Sequence, residues 1–456
     1  MLSCKPCRFV LLFLIASLPT RAADQEITGV QPAALDQPRI YMLLRRTPAG
    51  PPLAAKGDKG LAGLLGLGKD DKDAATFTIE AFLDTGASGI MLSSDTASAL
   101  GIQPAQLNNQ PVIFEDVGVA GSERFGVSES LVASFAAYSS TTAGDDPASY
   151  SKPSAPLRLQ LRPAGGILDM LTGGLDVAGM PAMANRVVVM DPKPVNTFAD
   201  KIRTSILQPT DATIPKTACH IPLTYVSFQR FTRTTPPGAP PPALLPNPMI
   251  GPDPLKAAAA SAPTTAPTSR VSQGWRAGSN GKRVLTLGGS APANPTIPMV
   301  AYNGRSASIT FLLDTGSAAS LISRRTADQL GIHYTPDGSK LEGIPENQQF
   351  SLTIGGIGGN KTAAGFYLDS LSLPTRERQP IVFKRAPVLV HDISVQDPTT
   401  RQTFTLDGVL GMNYLVASAN VTGGLLPDIK DLTQGPFSMI VIDHPHATLG
   451  VTIAGN

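Results

Sequence analysis

Apolar and polar residues alternate with a period of two in short runs along most of the chain, the pattern of strands with one buried face. Arg39 to Arg46 (Arg-Ile-Tyr-Met-Leu-Leu-Arg-Arg) predicts a first strand. Thr76 to Leu83 predicts a second, with Phe77, Ile79, Ala81 and Leu83 on one face and Asp84 delivered at its end. Thr47 to Ala75, rich in Gly, Pro, Lys and Asp, predicts a loop inserted between the two. Ser93 or Ser94 is placed to cap a short helix over Asp95 to Leu100, closed by Gly101, and Ser323, Arg324 to Leu330 and Gly331 repeat that arrangement. His220 to Phe231 alternates and predicts a strand closing the first half. Pro298 to Phe311 predicts a hairpin around Asn303-Gly304, a favoured tight-turn pair. Long stretches of helical period are scarce, so the fold class is all-β.

The strand-turn-helix pattern occurs twice. Laid over each other without a gap, Leu83 to Ile102 and Leu313 to Ile332 agree at ten of twenty positions, with Asp84-Thr85-Gly86 over Asp314-Thr315-Gly316 at an offset of 314 − 84 = 230 residues. A second landmark repeats as well: Val177-Ala178-Gly179-Met180 corresponds to Val409-Leu410-Gly411-Met412. Its glycines follow the respective aspartates by 179 − 84 = 95 and 411 − 314 = 97 residues, which makes two lobes out of two short matches. The first copy is the weaker, because Ala178 replaces a larger apolar residue and Pro181 follows. Thr232 to Gly281 is dense in Pro, Ala, Thr and Ser and lacks the apolar residues of a core. The predicted organisation is an N-terminal lobe over 24–231, a Pro/Ala-rich linker or insertion over 232–283 and a C-terminal lobe over 284–456.

Composition adds the ends and the environment. Lys5 and Arg8 precede the apolar run Phe9 to Leu18, and small residues at Ala22 and Ala23 suit cleavage, so residues 1–23 read as a signal peptide. Ten apolar residues are too few to span a bilayer and no later stretch is long enough, so no membrane span is expected after cleavage. The expected location is exported, periplasmic or secreted. Losing Lys5, Arg8 and Arg21 takes the net charge from +2 to +2 − 3 = −1, and nothing resembles the basic stripe of a nucleic-acid partner. Cys4 and Cys7 leave with the signal, so Cys219 alone remains and no internal disulfide is possible. The 43 Gly, 42 Pro and 16% charged residues fit many short strands joined by turns.

One carboxylate per duplicated half is a way to build a paired-carboxylate site. Two carboxyl groups held close cannot both ionise, so they share a proton; the ionised one can activate water while the protonated one polarises a carbonyl. Gly86 and Gly316 are required in such a site because a side chain there would crowd the facing turn. The two Asp-Thr-Gly turns resemble those of the aspartic proteases, the pepsin and retropepsin group. That resemblance implies the bilobal acid-protease fold, two related β-barrel-like lobes with a cleft between them, and Asp84 and Asp314 as the catalytic pair. It further implies Thr85 and Thr315 cross-linking the turns through their hydroxyls, with Gly86, Gly316 and Ser317 in support. Ile354 to Gly359 resembles a retropepsin flap tip, assigning Gly355, Gly356, Ile357 and Gly358 to substrate binding, with Val117 to Gly121 as the first-half counterpart. Ala87 stands where Ser317 stands in the second copy, a retropepsin trait; without a hydroxyl on the carboxylate of Asp84 the expected pH optimum is mildly acidic.

The function that follows is an exported aspartic endopeptidase acting on polypeptide, without cofactor or metal. One chain supplies both aspartates, so a monomer is expected. The alternatives are a non-catalytic peptide-binding module that keeps the cleft and a structural envelope protein using the Pro/Ala-rich segment as a spacer. Gly63 to Lys69 fits a phosphate-loop spacing but Asp70 stands where Ser or Thr is needed. Asp443-His444-Pro445-His446 reads as a surface turn rather than a metal site.

Overall fold

The computed structural model describes residues 25–55, 77–138, 149–163, 175–192, 201–228, 233–256, 276–277, 283–284, 297–336, 338–396, 403–422 and 428–455. The signal segment, most of the 47–75 loop with its Gly63 to Lys69 motif, and residues 257–275 of the Pro/Ala-rich run lie outside the described residues.

The first lobe opens with β1 (Arg39–Arg45), which buries Ile40, Met42 and Leu44 while Tyr41 faces away from them. Its antiparallel partner β2 (Ile79–Leu83) buries Ile79, Ala81 and Leu83 and exposes Glu80, the alternation the sequence predicts. β3 (Ile90–Leu92) leads into α1 (Ser94–Ala99), where Ser93 is the N-cap and its Oγ accepts from Thr96 N at 3.1 Å. Gly101 ends the helix at φ +59°, a conformation that suits a residue without a side chain. β4 (Ile113–Gly118) and β5 (Gly121–Val127) form a hairpin, followed by β6 (Val132–Ala136), β7 (Gln160–Leu161) and β8 (Val177–Ala178).

Beyond it the chain crosses between lobes. β9 (Val187–Asp191), β10 (Arg203–Leu207) and β11 (Cys219–Pro222) enter a five-stranded sheet under both lobes. β12 (Thr224–Val226) pairs with the second lobe, β13 (Arg233–Thr235) returns to pair with β4, and β14 (Asn247–Ile250) enters the second-lobe sheet with all four residues buried.

The second lobe continues with the hairpin β15 (Met299–Tyr302) and β16 (Arg305–Ser308), turned at Asn303 and Gly304, both at positive φ. Then come β17 (Phe311–Leu313), β18 (Leu321–Ile322), α2 (Arg324–Gln329, capped by Ser323), the long hairpin β19 (Gln349–Gly356) and β20 (Gly359–Leu373), β21 (Ile381–Val390) and β22 (Gly408–Leu410). β23 (Phe437–Asp443) and β24 (Thr448–Ile453) finish the shared sheet, in the order β10-β9-β23-β24-β11.

The duplication is visible in the pairing. β8 runs parallel to β2 and antiparallel to β3; β22 runs parallel to β17 and antiparallel to β18. Asp84 N donates to Ala178 O at 3.1 Å and Asp314 N to Leu410 O at 3.0 Å, so each landmark strand lies directly behind its Asp-Thr-Gly turn. The fold is therefore all-β and bilobal, as expected, built on open sheets with no closed barrel among the described residues. The main apolar cluster, from Ile27 to Val451, draws residues from both lobes.

Two expectations need correction. His220 to Phe231 does not close the first lobe: Cys219–Pro222 pairs with β24 and Thr224–Val226 with β14. Nor is 232–283 wholly coreless linker, since β14 brings Met249 and Ile250 into the second-lobe core. Composition averaged over fifty residues hides a four-residue strand, and the second lobe begins ahead of the Pro/Ala-rich run.

The short strand behind each turn depends on close backbone approach. A Cβ at Gly411 would lie 2.5 Å from Ala319 O and 2.8 Å from Ser317 O. Gly411→Ala should therefore cost roughly 1–3 kcal/mol, the usual range for overpacking, seen as a lower urea midpoint with an unchanged slope.

Candidate active site

Asp84 and Asp314 end β2 and β17 and meet at the floor of a cleft between the lobes, in a cavity of about 330 Å³ lined by both. The turns that carry them are tied reciprocally. Thr85 Oγ1 donates to Leu313 O and Thr315 Oγ1 to Leu83 O, each at 2.6 Å. Each hydroxyl also accepts the opposite amide: Thr315 N to Thr85 Oγ1 at 2.9 Å and Thr85 N to Thr315 Oγ1 at 3.0 Å. Both threonines are wholly buried, so these four bonds have no water competing for them. The cross-link implied by the family resemblance is present with the expected partners.

The glycines act as expected. Gly86 N and Ala87 N donate to Asp84 Oδ1 at 2.7 and 3.1 Å, and Gly316 N donates to Asp314 Oδ1 at 2.9 Å. A Cβ on Gly86 would sit 2.6 Å from Asp314 Oδ1, and one on Gly316 2.6 Å from Asp84 Oδ1. Only glycine lets the two carboxylates approach. Burial pushes both carboxyl groups above the ordinary aspartate range, and Asp314 further, because the charge of Asp84 beside it adds to the burial. The amide donors pull the other way but do not win, so the pair holds a proton where a free aspartate would not.

The Ser317 hydroxyl does not reach a carboxylate: Oγ donates to Ala319 O at 2.7 Å, and only the backbone amide of Ser317 acts on Asp314. The hydroxyl contrast between Ala87 and Ser317 therefore has no counterpart in contacts to the aspartates, and Ser317 supports its own turn instead.

Sequence reading missed two side chains beneath the turns. Asn247, buried on β14, donates to Thr85 O at 2.8 Å and Gly86 O at 2.9 Å while Ser88 Oγ donates to its Oδ1 at 2.5 Å. In the other lobe Gln37 Nε2 donates to Gly316 O. The two are equivalent: Pro38 and Pro248 follow them, and Arg39 opposes Phe82 in β2 as Met249 opposes Leu312 in β17. The amide-Pro-x-Ile tetrads Gln37 to Ile40 and Asn247 to Ile250 were the available signal.

The roof is made of two hairpins. Gly355, Gly356 and Ile357 of the second-lobe hairpin and Val117, Gly118 and Val119 of the first-lobe hairpin line the cavity. Gly358, in the same turn, sits at φ +87° and donates its amide to Glu123 Oε2 at 3.2 Å. The tips cross: Ala120 N donates to Ile357 O at 3.2 Å, and His391 Nε2 pairs with Val119 O at 2.7 Å. Ile357 packs on the apolar cluster of the first lobe, so each hairpin is seated partly on the other half.

Two predictions follow from the floor of this cleft. Asn247→Ala strands two buried carbonyls and should cost on the order of 2 kcal/mol or more in denaturant unfolding. The raised aspartates also fix a sign for pH. Their protonated form is favoured by the fold, so their contribution to stability is present below the unfolded aspartate range and is lost as pH rises through the folded values. Asp314→Asn is permanently neutral and can still accept from Gly316 N. Its stability relative to wild type should rise as pH is raised above the ordinary aspartate range in paired urea titrations.

Residues 299–414 match the family model described as aspartyl protease. Among solved structures, the chain is similar to an aspartic proteinase from Irpex lacteus (11% identity, TM-score 0.37, covering 93% of this chain and 97% of that one). It is similar also to conglutin gamma, a basic 7S globulin from lupine seeds (8% identity, TM-score 0.37, covering 92% and 95%). Likeness at this level bears on neither activity nor substrate. No curated protein sequence matches significantly. The family match thus falls on the second lobe, whose Asp-Thr-Gly turn and landmark strand the first lobe duplicates.

Proposed function

We propose that the protein is an exported aspartic endopeptidase that hydrolyses peptide bonds of extended polypeptides by activating water between Asp84 and Asp314. The observation that carries this reading is the pair of buried carboxyl groups, brought together by glycines on both sides and facing a roofed cleft. The ionised member takes a proton from the bound water as its oxygen attacks the carbonyl carbon. The protonated member gives its proton to the carbonyl oxygen, leaving a neutral gem-diol. Collapse of that intermediate breaks the C–N bond, with a proton passing to the leaving nitrogen, and the pair returns to one shared proton.

The chain's own residues supply position. The threonine cross-link and the two amides from Asn247 and Gln37 fix the turns, so the carboxylates need not reorganise during the reaction. The crossed hairpins exclude water once substrate is in place and present the glycine-rich backbone of residues 355 and 356 to it. One chain supplies both aspartates, which supports a monomer as the working unit. The basic start followed by the apolar run Phe9 to Leu18 supports export, and no helix among the described residues is long and apolar enough to cross a membrane.

Digestion of a denatured protein across pH tests the reading. Wild type should give a bell-shaped profile, falling on the acid side as the pair takes a second proton and on the basic side as it loses the shared one. Asp84→Asn and Asp314→Asn should each lose roughly 10²–10⁴-fold in rate. Folded wild type that leaves the substrate intact at every pH, as both variants do, would overturn the proposal.

A further inference from the structure

The two walls of the cleft are built on one plan but differ in chemistry. The hairpin registers align them: Gly118 opposes Gly121 as Gly356 opposes Gly359, so Asp116 in the first lobe corresponds to Ile354 in the second, and Glu123 to Lys361. The strand behind aligns too, because Gln160 pairs with Met91 as Leu389 pairs with Leu321, and Met91 and Leu321 are themselves 230 residues apart. Arg162 N then donates to Leu92 O as His391 N donates to Ile322 O. Hence Asp116, Gln160 and Arg162 stand where the other lobe has Ile354, Leu389 and His391.

Asp116, Gln160 and Arg162 all line the cavity. Gln160 and Arg162 are 4% and 6% exposed, deep positions for groups of their polarity. Arg162 is committed to Glu123, Nε to Oε1 at 3.6 Å, and Glu123 also holds Gly358 N of the crossing hairpin. Asp116 is held by neutral donors, Val117 N at 2.8 Å and Gln160 Nε2 at 3.1 Å, and no cation among the described residues pairs with it. The three charged groups therefore sum to −1 − 1 + 1 = −1 on this wall. Burial makes that surplus charge costly to keep, visible in the raised pKa of Asp116. The facing wall carries Leu312, Leu321, Ile354, Ile393, Phe404 and Leu406, with no charge.

We propose that the cleft is specific for an unlike pair of side chains: a lysine or arginine of the substrate seated against Asp116 on the first-lobe wall, and a large apolar residue on the second-lobe wall. This rests on the peptide-cleft reading above. A cationic side chain would neutralise the surplus charge, and Gln160 holds the carboxylate turned to receive it. A substrate with apolar residues on both sides would leave that carboxylate desolvated and without a counter-ion.

The test is cleavage-site profiling of a mixed synthetic peptide library by mass spectrometry, with wild type, Asp116→Asn and Asp116→Ile. Asp116→Ile installs the residue that the other lobe carries at this place, so the wall stays filled. Wild type should enrich Lys and Arg at one subsite and apolar residues on the other side of the cut. For peptides matched except for Lys or Leu at that subsite, the ratio of kcat/KM should fall about thirtyfold or more in Asp116→Ile and by less in Asp116→Asn. Cleavage without basic enrichment, or enrichment untouched by Asp116→Ile, would overturn the subsite while leaving the protease reading intact. Should wild type cut nothing, fluorescence anisotropy with the same labelled peptides decides: a Lys-over-Leu binding preference lost in Asp116→Ile supports the subsite, and equal binding or none overturns it.

Discussion

Everything at the centre of the molecule depends on the four hydrogen bonds exchanged by Thr85 and Thr315. They join the two lobes at the point where the two carboxylates must meet, and they do it with groups that water cannot reach. A carboxylate pair repels itself, and burial raises the cost of any charge it keeps. Without a fixed joint the lobes could relieve that repulsion by moving apart. The cross-link removes this freedom, and the repulsion is relieved by proton uptake instead. The strands behind the turns, the amides of Asn247 and Gln37 and the absence of side chains at Gly86 and Gly316 all serve the same joint.

Much of this was legible in the residue order. Asp84, Asp314, the helix caps Ser93 and Ser323 and the landmark strands ending at Gly179 and Gly411 depend on local chemistry repeated at a fixed offset, which a linear reading recovers. The hairpin over Gly355 to Gly358 was legible for the same reason, since a turn announces itself through glycine. The crossing of the hairpins was not, because the bond from Gly358 to Glu123 joins residues 358 − 123 = 235 apart with no pattern linking them. Asn247 was hidden in a segment whose average composition argues against burial, and the partner of the Ser317 hydroxyl is decided by rotamer rather than by neighbours in sequence.

Symmetry and its loss divide the work within the cleft. The floor keeps the duplication almost residue for residue. The walls do not: Asp116 against Ile354 and Arg162 against His391 show that the copies differ away from the aspartate pair. A single chain permits this divergence. A homodimer built from one lobe would carry the same wall twice.

The first described strand, Gln25–Ile27, does not join its own lobe but runs parallel to Ile381–Phe383 of the second, with Cys219 donating its thiol hydrogen to Gln25 Oε1. Ala33 and Ala34 likewise pair with Ala419 and Ser418, and only then does the chain deliver Gln37 to the active-site turn. The partners Gln25 and Ile381 are 381 − 25 = 356 residues apart, so residues 25–27 can pair only after residue 383 has been made. Closing so long a loop is slow, and in that interval a sheet edge of the second lobe and the arm meant for it stand open together. Completion of the floor is coupled to that long-range pairing, because the segment that pairs with the second lobe also carries Gln37, the donor to Gly316 O.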